Sequence, residues 1–116
     1  MNNLVKEIKA WAKGQKISWI GSSDGEYAMS WDEFKEKFKN LEYDAGFGSQ
    51  KIATDLVVVF TDGSWLEREE YDGAEHWVSK AMPVRKEGAK SFDVVGGNEY
   101  MWEDLERMNR KEEGDE

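Results

Sequence analysis

The residues of this sequence that could do chemistry gather in one run, WLEREEYDGAEHW at positions 65–77. His76 is the only histidine in the chain. Beside Glu69 it could form an acid–base couple. With Glu67 or Asp72 added, it could supply part of a divalent-metal site, which needs three or more converging ligands. The plainer reading is a cross-strand ion pair on a solvated sheet face, and a lone histidine favours it. Arg68 opposite Trp77 invites a cation–π contact that would brace a hairpin or hold a planar or anionic ligand. Ser22, Ser23, Ser49 and Ser64 stand in turn-like contexts without a nucleophile elbow. The chain has no cysteine, which removes thiol nucleophiles, disulfides and Cys-based zinc sites. The Gly-punctuated stretch 43–50 lacks the Gly-Lys-Ser/Thr ending of a phosphate-binding loop. These residues assign no catalytic group and imply no cofactor.

The elements that must position this run are legible in outline. Asn2 or Asn3 caps a first helix to about Lys13, with Leu4, Ile8 and Trp11 on an apolar face and Val5 and Ala12 beside them. Gly14 ends it. Residues 16–21 are rich in strand formers, Ser22 to Gly25 make a turn, and residues 26–29 return as a short strand. Ser30 and Glu33 have capping-box spacing. The helix they open carries Trp31, Phe34, Phe38 and Leu41 on one face and ends near Asn40. Residues 51–53 read as a short strand.

Residues 55–82 then form a three-stranded meander with turns at Asp62-Gly63 and Asp72-Gly73. With two-residue loops at both, Phe60 faces Trp65, Val59 faces Leu66, and Arg68 faces both Val57 and Trp77. Glu69 then faces His76, and Glu70 faces Glu75. Residues 91–95 read as a last short strand. Asn98 caps a C-terminal helix with Met101, Trp102, Leu105 and Met108 on its apolar face. The expected fold is α+β: a small antiparallel sheet built on the meander (55–82) with an N-terminal hairpin, packed by three helices (3–13, 31–40 and 98–111). The expected organisation is one domain over residues 1–111 with an acidic solvated tail at 112–116.

Charge narrows the partners. The chain of 116 residues carries 16 basic and 25 acidic groups, a net charge of -9. Lys6, Lys9, Lys13 and Lys16 cluster at the start, and eight acidic residues lie within 99–116. Such a balance disfavours direct binding of nucleic acid or anionic lipid and suits a basic partner. No segment reads as a signal peptide or a membrane span. The expectation is a cytoplasmic protein of a bacterial cell, a monomer or small homo-oligomer. Six Trp, four Tyr and five Phe exceed what so hydrophilic a chain needs unless they fill the core or anchor an interface.

Residues 30–83 resemble a group of small phage and mobile-element proteins of Gram-positive bacteria. The resemblance lies in YDAGFGSQKI at 43–52, DLVVV at 55–59 and, above all, WLEREEYDGAEHW at 65–77. It covers about half the chain and carries over no catalytic residue. It implies an accessory role, since small proteins of mobile elements frequently counter host defence, anti-CRISPR proteins among them. The sequence thus leads to a non-enzymatic inhibitor of a basic nucleic-acid-handling host protein, a CRISPR effector nuclease being one such partner. The contacts would come from Trp65, Glu67, Arg68, Glu69, Glu70, Tyr71, Asp72, Glu75, His76 and Trp77, with Glu103 and Asp104 of the last helix. The alternatives are a small enzyme or metal-binding domain using Glu67, Glu69 and His76, or a phage structural or assembly component.

Overall fold

A computed structural model describes residues 1–46 and 48–110. It is α+β, with three helices, a five-stranded antiparallel sheet and a two-stranded ribbon. Its contacts divide the chain into two compact units, one over Met1–Pro83 and one from Val84 onward.

The first unit begins with β1 (Asn2–Asn3) and α1 (Leu4–Ala12). Asn3 caps α1 by accepting from the Lys6 amide at 3.0 Å, and its side-chain amide donates to the Lys39 carbonyl at 3.0 Å. Lys13 and Gly14 both adopt positive φ and end the helix, a conformation that Gly tolerates without strain. Leu4, Val5, Ile8 and Ala12 form the buried face of α1. Trp11, expected on that face, is instead exposed. It lies about 100° from Ala12 around the helix, and Val5 and Ala12 fill the contact in its place.

Strand β2 (Ile17–Ser22) pairs with β3 (Ala28–Met29). Ser30 then caps α2 (Trp31–Phe38), accepting from the Glu33 amide at 3.1 Å. Phe34 of α2 is buried; it stacks on Trp31 and packs tilted against Phe38, with centroids 6.0 and 4.7 Å away. β4 (Glu42–Tyr43) pairs with β1 in the small ribbon, and the Leu4 amide donates to the Leu41 carbonyl at 3.2 Å. The segment 51–53, expected as a strand, is not one. The amides of Lys51 and Ile52 serve the carboxylate of Glu75 instead.

The meander follows as β5 (Leu56–Phe60), β6 (Trp65–Tyr71) and β7 (Ala74–Lys80). The sheet order is β3-β2-β5-β6-β7. Asp72 and Gly73 both have positive φ, as a two-residue type I′ turn requires. The expected β6–β7 register therefore holds: Arg68 faces Trp77, Glu69 faces His76, and Glu70 faces Glu75.

The β5–β6 register is a correction. Val59 faces Trp65, Val58 faces Leu66, and Val57 faces Glu67. Here Phe60 closes the loop with Ser64: its amide donates to the Ser64 carbonyl at 2.9 Å, and its carbonyl accepts from the Gly63 amide at 3.0 Å. Only Gly63 takes positive φ, as in a three-residue hairpin with Gly at the left-handed position. The extra residue shifts every pair by one, which changes the face of each β5 side chain. Val57 thus sits on the face of Glu67 and not on that of Arg68.

One sheet face, bearing Ile20, Val58, Phe60, Leu66 and Trp77, joins Leu4, Val5, Ile8, Phe34, Tyr43 and Ile52 in the core. Burying such side chains contributes roughly 1.5–3 kcal/mol each.

The second unit is built differently. None of its described residues is buried. The expected strand at 91–95 is absent from it. The Asn109 side chain accepts from the amides of Asp93 and Val94 and donates to the Val94 carbonyl. The expected helix from Asn98 is shortened to α3 (Leu105–Asn109), capped by Asp104 and not by Asn98. Trp102, inside the expected helix, has positive φ, which a continuous helix forbids. A short helix without a packed face has little to hold it, and Met101 and Trp102 are exposed. Lys111 and the acidic tail at 112–116 lie outside the described residues. Among the described residues no helix is long and apolar enough to cross a membrane.

Among the described glycines, Gly21 lies closest to a neighbouring stretch of backbone. A Cβ added there would lie 1.8 Å from the carbonyl oxygen of Tyr27, so β3 would have to move. Gly21→Ala is expected to destabilise this unit by about 1–3 kcal/mol, measured as a lowered urea midpoint.

Candidate functional site

The β6–β7 hairpin separates its side chains by alternation. On the inner face Arg68 and Glu75 form an ion pair, Nη2 to Oε1 at 2.7 Å, with side chains only 0% and 2% exposed. The Glu75 carboxylate also accepts from the amides of Lys51 at 2.6 Å and Ile52 at 3.2 Å. The Glu75 amide donates to the Ala45 carbonyl at 3.0 Å. Arg68 Nη2 donates to the Tyr43 hydroxyl at 3.3 Å, and that hydroxyl donates to Glu7 of α1. The guanidinium lies over the Trp77 ring at 4.6 Å and near the Tyr43 ring at 5.6 Å. Its Nε and Nη1 have no hydrogen-bond partner among the described residues. Cation–π attraction to these desolvated rings, about 2 kcal/mol or more at such sites, partly offsets that cost.

Two titrations follow from this burial. Burial alone would raise the Glu75 carboxyl, but the Lys51 amide, the Arg68 guanidinium and the Ile52 amide together hold it below its ordinary range. Burial and the hydrogen bond to Glu7 push the Tyr43 hydroxyl up to about 12, against the opposing pull of Arg68.

This burial corrects part of the expected interface. Arg68, Glu75 and Trp77 are core residues and cannot touch a partner. Their polar types suggested a surface, but Arg68 and Glu75 neutralise one another and Trp77 covers the guanidinium. Sequence reasoning placed Arg68 against Trp77 correctly. It missed Glu7, Tyr43 and the 51–52 amides, which no local signal ties to residues far along the chain.

The opposite face is the candidate surface. Trp65 and Glu67 are half-buried there and bonded to each other, indole Nε1 to Oε1 at 2.8 Å. Lys80 Nζ stands 4.0 Å from Glu67 Oε2. Glu69 and His76 are both exposed, with Oε1 and Nε2 3.7 Å apart, which is beyond a hydrogen bond. Tyr71 is 78% exposed, and Asp72 projects from the turn. Glu70 is exposed on the other face, where its carboxylate accepts from the Gly73 amide at 2.7 Å.

Pairing also places Trp19 beside Val59, Val59 beside Trp65, and Trp65 beside Lys80. Trp19, Val59 and Val78 therefore belong to this face, a membership visible only once β2 is known to pair with β5. Glu103 and Asp104 belong to the second unit. Both are exposed, and Asp104 accepts from the Arg107 amide at 2.9 Å. Among the described residues no three His, Asp or Glu side chains converge to hold a metal ion. Glu67 is engaged with Trp65, which leaves Glu69 and His76 as a bare pair.

No family model matches the chain, and neither a curated protein nor a solved structure matches it.

Replacing Arg68 by Ala strands the Glu75 charge in the core, so Arg68→Ala is expected to cost about 3–5 kcal/mol in urea denaturation. Restoring shape without charge, in Arg68→Met with Glu75→Gln, recovers part of that loss.

The pH dependence has a defined sign at each end. Because Glu75 is lowered in the folded state, its stabilisation is present above the unfolded value of about 4.3 and is lost as pH falls through the lowered value. Because Tyr43 rises from 10.0 to about 12, its contribution is present below pH 10 and is lost between there and about 12. Thermal melts across pH are expected to show a plateau bounded by these two limbs. Tyr43→Phe removes the alkaline contribution, and Glu75→Gln removes the acid one.

Proposed function

We propose that this chain is a non-enzymatic binding protein that acts in the bacterial cytoplasm and occupies a basic, nucleic-acid-handling surface of a host protein. A CRISPR effector nuclease has that chemistry, and the sequence resemblance to mobile-element proteins points the same way. The observation that carries the proposal is the division of labour in the β6–β7 hairpin. Arg68, Glu75 and Trp77 fix it from behind, while Glu69, Tyr71, Asp72 and His76 are displayed beyond what holding the sheet requires. A carboxylate array on a rigid strand pair can stand in for the phosphates such a partner holds. Rigidity limits the ordering cost of binding. Tyr71 supplies an aromatic anchor of the kind enriched at interfaces.

The contact is electrostatic, so it is screened by salt and competes with nucleic acid. Immobilised protein in a bacterial lysate at low salt is expected to retain a nucleic-acid-binding protein. Added duplex DNA or RNA releases it, and so does raising ionic strength from about 0.05 to about 0.5 M. The double variant Glu69→Lys, Asp72→Lys, which alters exposed positions only, is expected to lose at least about tenfold in retention. Equal retention by that variant refutes the assignment of this face.

A further inference from the structure

A cleft of about 310 Å³ enters the first unit between α2 and the β2–β3 pair. Ile20 and Phe34, both buried, form its depth, and Met29, Phe38 and Leu56, each half-buried, form its walls. Tyr27, 79% exposed, stands beside it. The cleft thus opens part of the apolar core to water, which favours an apolar occupant. Ligand sites in general span roughly 300–1,000 Å³. This one is at the small end, with room for one large side chain.

The charge around the cleft has one sign. Asp55 lines it and is exposed, and none of the ion pairs among the described residues includes it. Asp24 and Glu26, also exposed, lie in the turn between Ser22 and Tyr27, which line the cleft as well. Residues 21–29 and 52–60 hold no basic group, and Lys51 turns its ammonium to the Ser49 carbonyl at 2.9 Å. The α2 side is balanced. Residues 32–39 hold three acidic and three basic groups, with Lys35 on Asp32 at 3.4 Å and Lys39 on Glu36 at 3.0 Å. An apolar recess with an acidic rim repels a fatty-acid anion and a second copy of the same rim. It matches an apolar side chain that has a cation next to it.

The cleft is also continuous with the acidic hairpin face. Asp55 lines a second hollow, of about 250 Å³, together with Ser23, Val57 and Glu67, and Glu67 belongs to that face. Ser22 at the end of β2 pairs with Leu56 at the start of β5, and Tyr71 at the end of β6 pairs with Ala74 at the start of β7. With β5 antiparallel to β6, the cleft and the Asp72-Gly73 turn share one end of the sheet.

We infer that this cleft receives an aromatic side chain from a basic segment of the partner protein, with a Lys or Arg beside that side chain meeting Asp55. The inference rests on the function proposed above and states what the partner must offer: one aromatic anchor flanked by cations. The two surfaces divide the work. Exposed carboxylates on the hairpin steer the approach of a basic surface and are screened by salt. An aromatic side chain seated in a desolvated pocket is the kind of contact that carries binding energy and slows release.

The probe is the peptide acetyl-Lys-Trp-Lys-amide, titrated into the whole protein at low salt and followed by amide NMR shifts. Saturable shifts are expected at Ala28, Ala53 and Asp55, which line the cleft. Peptides with Glu in place of both Lys, or with Ala in place of Trp, are expected to bind at least about tenfold more weakly. Asp55→Lys, at an exposed position, is expected to weaken binding at least about tenfold with a thermal midpoint unchanged. Should Asp55→Lys prove unfolded, Ala53→Trp, which fills the cleft from an exposed wall position, takes its place with the same expected loss. The double variant Glu69→Lys, Asp72→Lys is expected to keep the peptide within about threefold while it loses the host protein. Shifts confined to residues 69–72, equal binding of either control peptide, or undiminished binding by the folded cleft variant each overturns the inference and leaves the hairpin reading standing. Peptide seated in the cleft with no host protein retained by the unmodified chain overturns the hairpin reading and upholds the cleft.

Discussion

The first unit depends on one buried ion pair, Arg68 with Glu75. Two charges in a core cost several kcal/mol each to desolvate, and only dense hydrogen bonding offsets that. The surrounding structure supplies it. The Glu75 carboxylate gathers the amides of Lys51 and Ile52, and Arg68 reaches the hydroxyl of Tyr43, which in turn donates to Glu7. One polar chain thereby joins α1, β4, β6, β7 and the loop at 51–52. Each member restricts where the others can sit, so the network specifies an arrangement that apolar packing alone would leave looser.

That constraint explains why the hairpin can display so much charge. A two-stranded ribbon is marginal in water, and repulsion among Glu69, Glu70 and Asp72 works against it. The β6–β7 pair is held by its inner face, through Leu66, Arg68, Glu75 and Trp77, and by pairing of β6 with β5. The exposed outer side chains of Glu69, Tyr71 and His76 are thus relieved of structural duty. Strand alternation performs the separation: odd positions of β6 face outward, even ones inward. The second unit shows the opposite case. Without a buried side chain among its described residues, it is organised by polar contacts, chiefly those of Asn109 and Asp104.

Much of this was legible from local patterns. Asn3 and Ser30 are caps because their side chains accept from amides three residues on, a property of spacing. Asp72-Gly73 gives a two-residue turn because both positions tolerate positive φ, and the β6–β7 register follows from it. Asp62-Gly63 carries the same dipeptide yet forms a longer loop. Ser64 closes on Phe60, and its hydroxyl and amide both bond Asp62, a competing local preference that the dipeptide signal does not reveal. The C-terminal apolar spacing at Met101, Trp102, Leu105 and Met108 suggested a long helix, but periodicity forms a helix only where a surface receives the apolar face.

The sequence by itself determined the fold class, the hairpin that carries the acidic run, and the pairing of Arg68 with Trp77 and of Glu69 with His76. These depend on periodicity, caps and one turn, all of them short-range. Only the tertiary structure decided which charges are buried. Arg68 and Glu75 read in sequence like their neighbours Glu69 and Glu70. They became core because Tyr43, Glu7 and the 51–52 amides, distant in the chain, converge on them and make burial of charge affordable. What remains outside after that selection is the acidic, aromatic face on which the proposed function rests.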